Sequence, residues 1–302
     1  MKEGIWFIEK FTDDMLYCYK TEEVYYSGKT QFQKVDIVKL GIFGKTLFLD
    51  NKIQSAQIDE FIFHESLVIP ALITHGNPKR VFIAGGGEGA TLREALKASS
   101  VQRAVMVDID GELVDLCKKY LPEWADGAFD DPRAEVIAGD AKDYIWKTEE
   151  KFDVFISDLT EPLEGGPSVY LFTREFYKRV YEILSEDGVL AVQSGSADPF
   201  YNVFFASVVK TLSEVFPYVR PYWAFILSFN MPWGFTLASK KQDPLLLAEA
   251  EVEERLKRLG ISGLKYYSVK LHQGMFSLPP YLLEAIEKAR VMTDESPFIW
   301  SV

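Results

Sequence analysis

Acidic side chains recur where apolar runs end: Glu88 inside GGGEG, Asp108 closing AVMVD, Asp140 in VIAGDAKDY, and Asp158 with Glu161 in FISDLTEP. Gly85, Gly86, Gly87 and Gly89 let the backbone turn tightly and approach a ligand closely. A carboxylate about 20 residues further on, Asp108, can accept both hydroxyls of a ribose, so the pair points to adenosine. A dinucleotide fingerprint G-x-G-x-x-G would end at Ala90 and set a pyrophosphate against Glu88, a like-charge clash. S-adenosyl ligands carry no phosphate and tolerate that carboxylate. Glu88, Asp158 and Glu161 together would then ring a cation, and Glu88 would meet a positive group. Asp140 has two readings, an acceptor for the exocyclic amine of adenine or the N-cap of a helix over AKDYIW.

These residues need a scaffold that places strand ends side by side. Strand-like runs occur at RVFIAG, RAVMVDI, AEVIAGD, FDVFISD, GVLAVQS, YVRPYWAFI and GFTLAS. Helical periodicity lies between several of them, in TREFYKRVYEILS and FYNVFFASVVKTLSEVF. The alternation predicts an α/β fold with a doubly wound, mostly parallel sheet, whose ligands sit at the carboxyl ends of strands. Residues 1–58 read differently, as a small β domain broken at Ser27-Gly28, Gly41 and Gly44, with the Rossmann-like domain filling 59–302. IDEFIFHESLVIPALI predicts the joining helix. Net charge −12 argues against nucleic acid and suits a cationic ligand. Cys18 and Cys117 form no disulfide framework, no apolar stretch reaches a membrane span, and the N-terminus lacks a secretory core, so a cytoplasmic location is expected. His64, His75 and His272 have no paired spacing, and no metal is expected.

Over nearly its whole length the chain resembles the polyamine aminopropyltransferases, which include spermidine synthase. QFQKVDIV, FGKTLFLDNKIQSAQIDEFIFHE, GGGEGATLREALK, VDIDGELVDLCKKYLP, DDPRAEVIAGDA and FDVFISDLTEP carry the resemblance in order. It implies transfer of an aminopropyl group from decarboxylated S-adenosylmethionine, a co-substrate and not a bound cofactor, to a polyamine, releasing methylthioadenosine. It also implies an N-terminal β domain, a Rossmann-like domain of the S-adenosylmethionine-dependent methyltransferase type, and a homodimer or homotetramer. Gln33 and His64 would contact the nucleotide, Asp108 the ribose, Asp140 with Ala141 the adenine, and Glu88 the donor's amine. Gly85 and Gly87 belong to the donor loop. Asp158 matches the catalytic base, and Gln193 in VQSG matches a glutamine near the donor. Members usually have Asp at positions 88 and 161, where this chain has Glu. They usually have Tyr at Phe63 and a second Tyr near Ser228-Phe229. With DLTEPLEGGP, these departures look closest to thermospermine synthase and imply a long acceptor, spermidine, lined by Phe63, His64, Asp158, Glu161, Ser228 and Phe229, with putrescine or agmatine as alternatives. A methyltransferase using the intact donor would set its carboxylate against Glu88 and would often show an acid before Gly85, where Ile83-Ala84 stands. A non-catalytic binder would lack the base.

Overall fold

The computed structural model describes residues 5–12 and 14–300, so the outer domain limits expected at 1 and 302 lie outside the described residues. The chain begins with five antiparallel strands, β1 (Ile5–Lys10), β2 (Leu16–Lys29), β3 (Lys34–Leu40), β4 (Gly44–Leu49) and β5 (Lys52–Ala56), paired in sequence order. The break expected at Ser27-Gly28 is not one. β2 runs through it, absorbing extra residues at two register shifts against β3, and the chain turns after Lys29. Ile58 lies in the turn before α1 (Glu60–His75).

Alternation follows: β6 (Arg80–Gly85), α2 (Ala90–Leu96), β7 (Arg103–Asp108), α3 (Gly111–Tyr120), α4 (Pro122–Ala125), β8 (Ala134–Ala138), α5 (Ala141–Lys147), β9 (Phe152–Asp158), α6 (Arg174–Ile183), β10 (Leu184–Ser196), α7 (Val203–Ser213), β11 (Tyr218–Ile226) and β12 (Met231–Ser239). Three more helices, α8 (Glu249–Leu259), α9 (Val269–Met275) and α10 (Pro280–Lys288), follow among the described residues. The seven strands lie in the order β11-β12-β10-β9-β6-β7-β8. Every neighbouring pair from β10 to β8 is parallel, and β12 runs antiparallel to both β10 and β11. Rossmann-like topology is therefore present. The strand order reverses between β6 and β9, and at such a switch point the two connecting segments diverge to opposite faces and leave a crevice.

The central strands are continuous apolar runs because helices cover both faces. The first sheet is packed into the same interior: Val35, Ile37, Leu47 and Leu49 share a cluster with Ala90, Leu113, Leu121 and Trp124. The Trp124 indole N–H also donates to Ser55 Oγ at 2.7 Å. Cys18 is exposed and Cys117 buried, both as free thiols. No helix among the described residues is long and apolar enough to cross a membrane.

Candidate active site

The crevice over the switch point opens into a cavity of about 640 Å³. Its floor is the carboxyl edge of the sheet, so each strand delivers one piece of chemistry. β6 ends in Gly85, whose φ of +82° and close approach to β9 admit only glycine: a Cβ there would lie 2.1 Å from the Asp158 carbonyl oxygen. Gly87 faces the Asp108 side chain, where a Cβ would fall 2.9 Å from Oδ2.

On the β7 side, Asp108 Oδ1 accepts the Asp110 backbone N–H at 2.9 Å. Asp110 caps α3 by accepting from the Leu113 N–H and receives Gln33 Nε2 at 2.9 Å and Thr30 Oγ1 at 2.6 Å. Gln33 therefore reaches the cavity wall from the first sheet, held by an aspartate that the sequence reading missed. Burial, and the charges of Glu88 and Asp110, push Asp108 up to about 6 against the pull of backbone N–H groups. Beyond it, Asp140 is the N-cap of α5, its Oδ1 accepting from Lys142 N at 2.7 Å and Asp143 N at 3.4 Å. The capping alternative is thus the observed one, and Asp140 and Ala141 still line the cavity.

At the switch point itself, Glu88 and Asp158 approach each other. His64 was expected against the nucleotide. It is instead buried behind Glu88, its Nε2 3.0 Å from Glu88 Oε1 and its Nδ1 3.0 Å from Glu60 Oε2. Arg93 closes the chain at 2.9 Å from Glu60. Burial would lower the His64 pKa, but two carboxylates override it and raise it to about 10. His64, Glu88 and Asp158 bring ligand atoms within 4.8 Å, a spacing a metal could use. Both ring nitrogens of His64 already face carboxylates, Glu60 on one side and Glu88 on the other. Asp158 accepts the Thr91 hydroxyl at 2.6 Å, and burial together with the Glu88 charge raises its pKa. Thr91 was also missed, although a hydroxyl in the first turn after a glycine loop is a readable signal.

Toward β10 and β12 the walls become aromatic. Phe63 stands edge to face with Phe229 at 6.0 Å and with Phe235 at 5.3 Å, and Phe229 packs on Trp233 at 4.8 Å. Ser228 does not line this cavity: it is buried, with its N–H donating to Asp59 Oδ2 at 2.7 Å, and Phe229 is the residue that faces inward. Gln193 accepts from Gly195 N and Trp233 Nε1, each at 3.1 Å, and donates to the Leu159 carbonyl. Glu161 lines the same end. No described group donates to its carboxylate, and burial raises its pKa to about 7 despite Lys52.

Residues 60–247 match the spermine/spermidine synthase domain and residues 5–57 the spermidine synthase tetramerisation domain. The chain belongs to the spermine/spermidine synthase family. It is 41% identical over 302 residues to a polyamine aminopropyltransferase of Aeropyrum pernix, covering 97% of this chain and 95% of that one. A second such enzyme, from Sulfurisphaera tokodaii, is 39% identical over 298 residues, covering 98% of each. Among solved structures, a spermidine synthase in complex with the transition-state analogue AdoDATO aligns with a TM-score of 0.87 at 35% identity, over 95% of this chain and 96% of that chain. Spermidine synthase from Thermotoga maritima aligns with a TM-score of 0.86, also at 35% identity, over 95% of each. The chain is accordingly a polyamine aminopropyltransferase, with decarboxylated S-adenosylmethionine as co-substrate.

Proposed function

We propose that the acceptor is spermidine and the product thermospermine. The observation that carries the reading is the order of groups along the sheet edge, with polar donors and acceptors at β8 and β7, carboxylates at β6 and β9, and an aromatic lane ending at β12. The adenine would lie by Asp140 and Ala141, the ribose on Asp108 with Gln33 beside it, and the donor's primary ammonium on Glu88, steadied by His64. That leaves the sulfonium at the switch point and the acceptor amine at Asp158.

The acceptor nitrogen's lone pair attacks the methylene carbon bonded to sulfur, and the carbon–sulfur bond breaks with its electrons passing to sulfur. Methylthioadenosine leaves as a neutral thioether, so no general acid is required. The nitrogen sheds one proton to Asp158, whose raised pKa makes it a better base than an exposed carboxylate. Polyamine nitrogens, with pKa values near ~10, arrive mostly as ammonium, and a buried anion both attracts and deprotonates them.

Beyond Asp158, Glu161 would hold a second ammonium while Phe63, Phe229 and Trp233 cover methylenes. From β9 to β12 is two strand spacings, about 10 Å, room for more than a diamine. The absence of phenolic hydroxyls at Phe63 and Phe229 removes polar anchors that a short diamine would use. Agmatine is the competing acceptor, because its guanidinium could pair with Glu161 through two hydrogen bonds. Putrescine, agmatine and spermidine supplied together at equal concentration should yield mainly the spermidine product. A clear kcat/KM advantage for putrescine overturns the assignment. The match over residues 5–57 and the exposed Ile5, Trp6, Ile8 and Leu16 of the first sheet support a homodimer or homotetramer, which sedimentation would resolve.

A further inference from the structure

We propose that Trp300 is a specificity residue, closing the far end of the acceptor lane and receiving the acceptor's distal ammonium on its indole face. This rests on the acceptor direction argued above.

The C-terminal segment reaches that place through a series of fixed points. The Met292 N–H donates to Thr211 Oγ1 at 2.9 Å, and its carbonyl accepts from Arg174 N at 2.8 Å. Asp294 accepts the Thr173 hydroxyl at 2.6 Å, and the Arg290 guanidinium spans the Ser296 and Pro297 carbonyls at 2.9 and 2.8 Å. Phe298 packs on the buried Phe204 at 5.1 Å and on Trp300 at 5.3 Å. Trp300 then forms a parallel bridge with Leu163, its N–H donating to the Pro162 carbonyl at 2.9 Å. Pro162 and Leu163 follow Glu161 directly, so the C-terminus is stitched to the segment that carries the second carboxylate.

An aromatic collar results. Tyr201, fixed by the Asp198 carboxylate on its N–H at 3.0 Å, lies 6.2 Å from Trp300 and 5.3 Å from Phe11 of the first sheet's opening turn. Trp300, Tyr201 and Phe11 line the same cavity as Glu161 and Trp233. The Trp300 indole N–H finds no acceptor among the described residues, and ring packing and the backbone pair with Pro162 hold the ring at the cavity wall. Tryptophan gives the strongest cation–π surface of the aromatic residues. Lys52, which lines this end together with Lys10, is directed onto the backbone carbonyls of Lys10 and Phe11.

Acceptor length is thereby measured between Asp158 and Trp300, and the cost of removing the indole should grow with that length. In the full-length enzyme, Trp300→Ala should raise KM for spermidine about tenfold and KM for putrescine less than about threefold. Methylthioadenosine affinity by calorimetry should be unchanged, and Trp300→Phe should keep spermidine within about threefold of wild type. An equal rise for both amines, a loss of methylthioadenosine binding, or an unchanged spermidine KM overturns the role. Two failures stay distinct: wild type preferring putrescine while Trp300→Ala still penalises only spermidine sinks the acceptor assignment alone, and the reverse pattern sinks Trp300 alone.

Discussion

The two ends of the cavity are built from opposite materials. Around β7 and β8, each polar side chain already holds a fixed protein partner: one oxygen of Asp140 caps a helix, one oxygen of Asp108 accepts a turn N–H, and the Gln33 amide is tied to the capping Asp110 carboxylate. Around β9, β10 and β12, aromatic edges meet and the Glu161 carboxylate has no donor among the described residues. A group locked by short-range geometry recognises one ligand. Rings in van der Waals contact with an uncommitted carboxylate can be retuned by single substitutions. On the assignment proposed above, the end at β7 and β8 would suit an invariant nucleoside and the end at β9 to β12 selection among amines.

The largest effect should come from the junction of the two ends. Asp158→Asn should lower kcat by roughly a hundredfold or more in single-turnover assays and leave methylthioadenosine binding nearly unchanged. A near-wild-type kcat would remove Asp158 as base. Next, Asp108→Ala should weaken methylthioadenosine binding by about 1.5–3 kcal/mol in calorimetry with acceptor KM unaffected, since a charged hydrogen-bond acceptor is lost from the donor end alone. Unchanged affinity would move the nucleoside elsewhere.

How much of this division can be read from sequence follows from the same contrast. Gly85 to Gly87 and Asp108 lie within one βαβ unit, where strand periodicity and spacing along the chain fix their proximity. The helix-cap alternative for Asp140 was likewise a local signal. The surroundings of His64 were not legible because, apart from Glu60 one turn back on its own helix, they come from other elements: Glu88 in the glycine loop and, through Glu60, Arg93 on α2. Ser228 and Phe229 were adjacent candidates, and only the packing of Phe63 against Phe229 decides which faces inward. Trp300 was invisible for the same reason, since its pairing with Leu163 spans most of the catalytic fold.

The pH response should also divide. Asp108, at about 6, and Glu161, at about 7, bind protons more tightly folded than unfolded. Their contribution to stability is therefore present below about pH 4 and is lost as pH rises through about 6 and 7 in the empty enzyme. A cationic acceptor offsets that loss at the Glu161 end, so the rise in Tm on adding spermidine should be several degrees larger at pH 8 than at pH 5.5. Equal shifts at both values would place the cation away from Glu161. The smallest effect expected is on selectivity: Phe63→Tyr combined with Phe229→Tyr should move the spermidine-to-putrescine kcat/KM ratio toward putrescine by about threefold to tenfold. No change in that ratio would mean that these rings do not select.

Glu161→Gln tests the division of the cavity most directly, because it removes one charge and keeps shape and hydrogen-bonding reach. Steady-state kinetics with both substrates varied should give an acceptor KM raised about tenfold and a donor KM unchanged. Equal increases in both would contradict a cavity divided into a committed donor end and an uncommitted acceptor end.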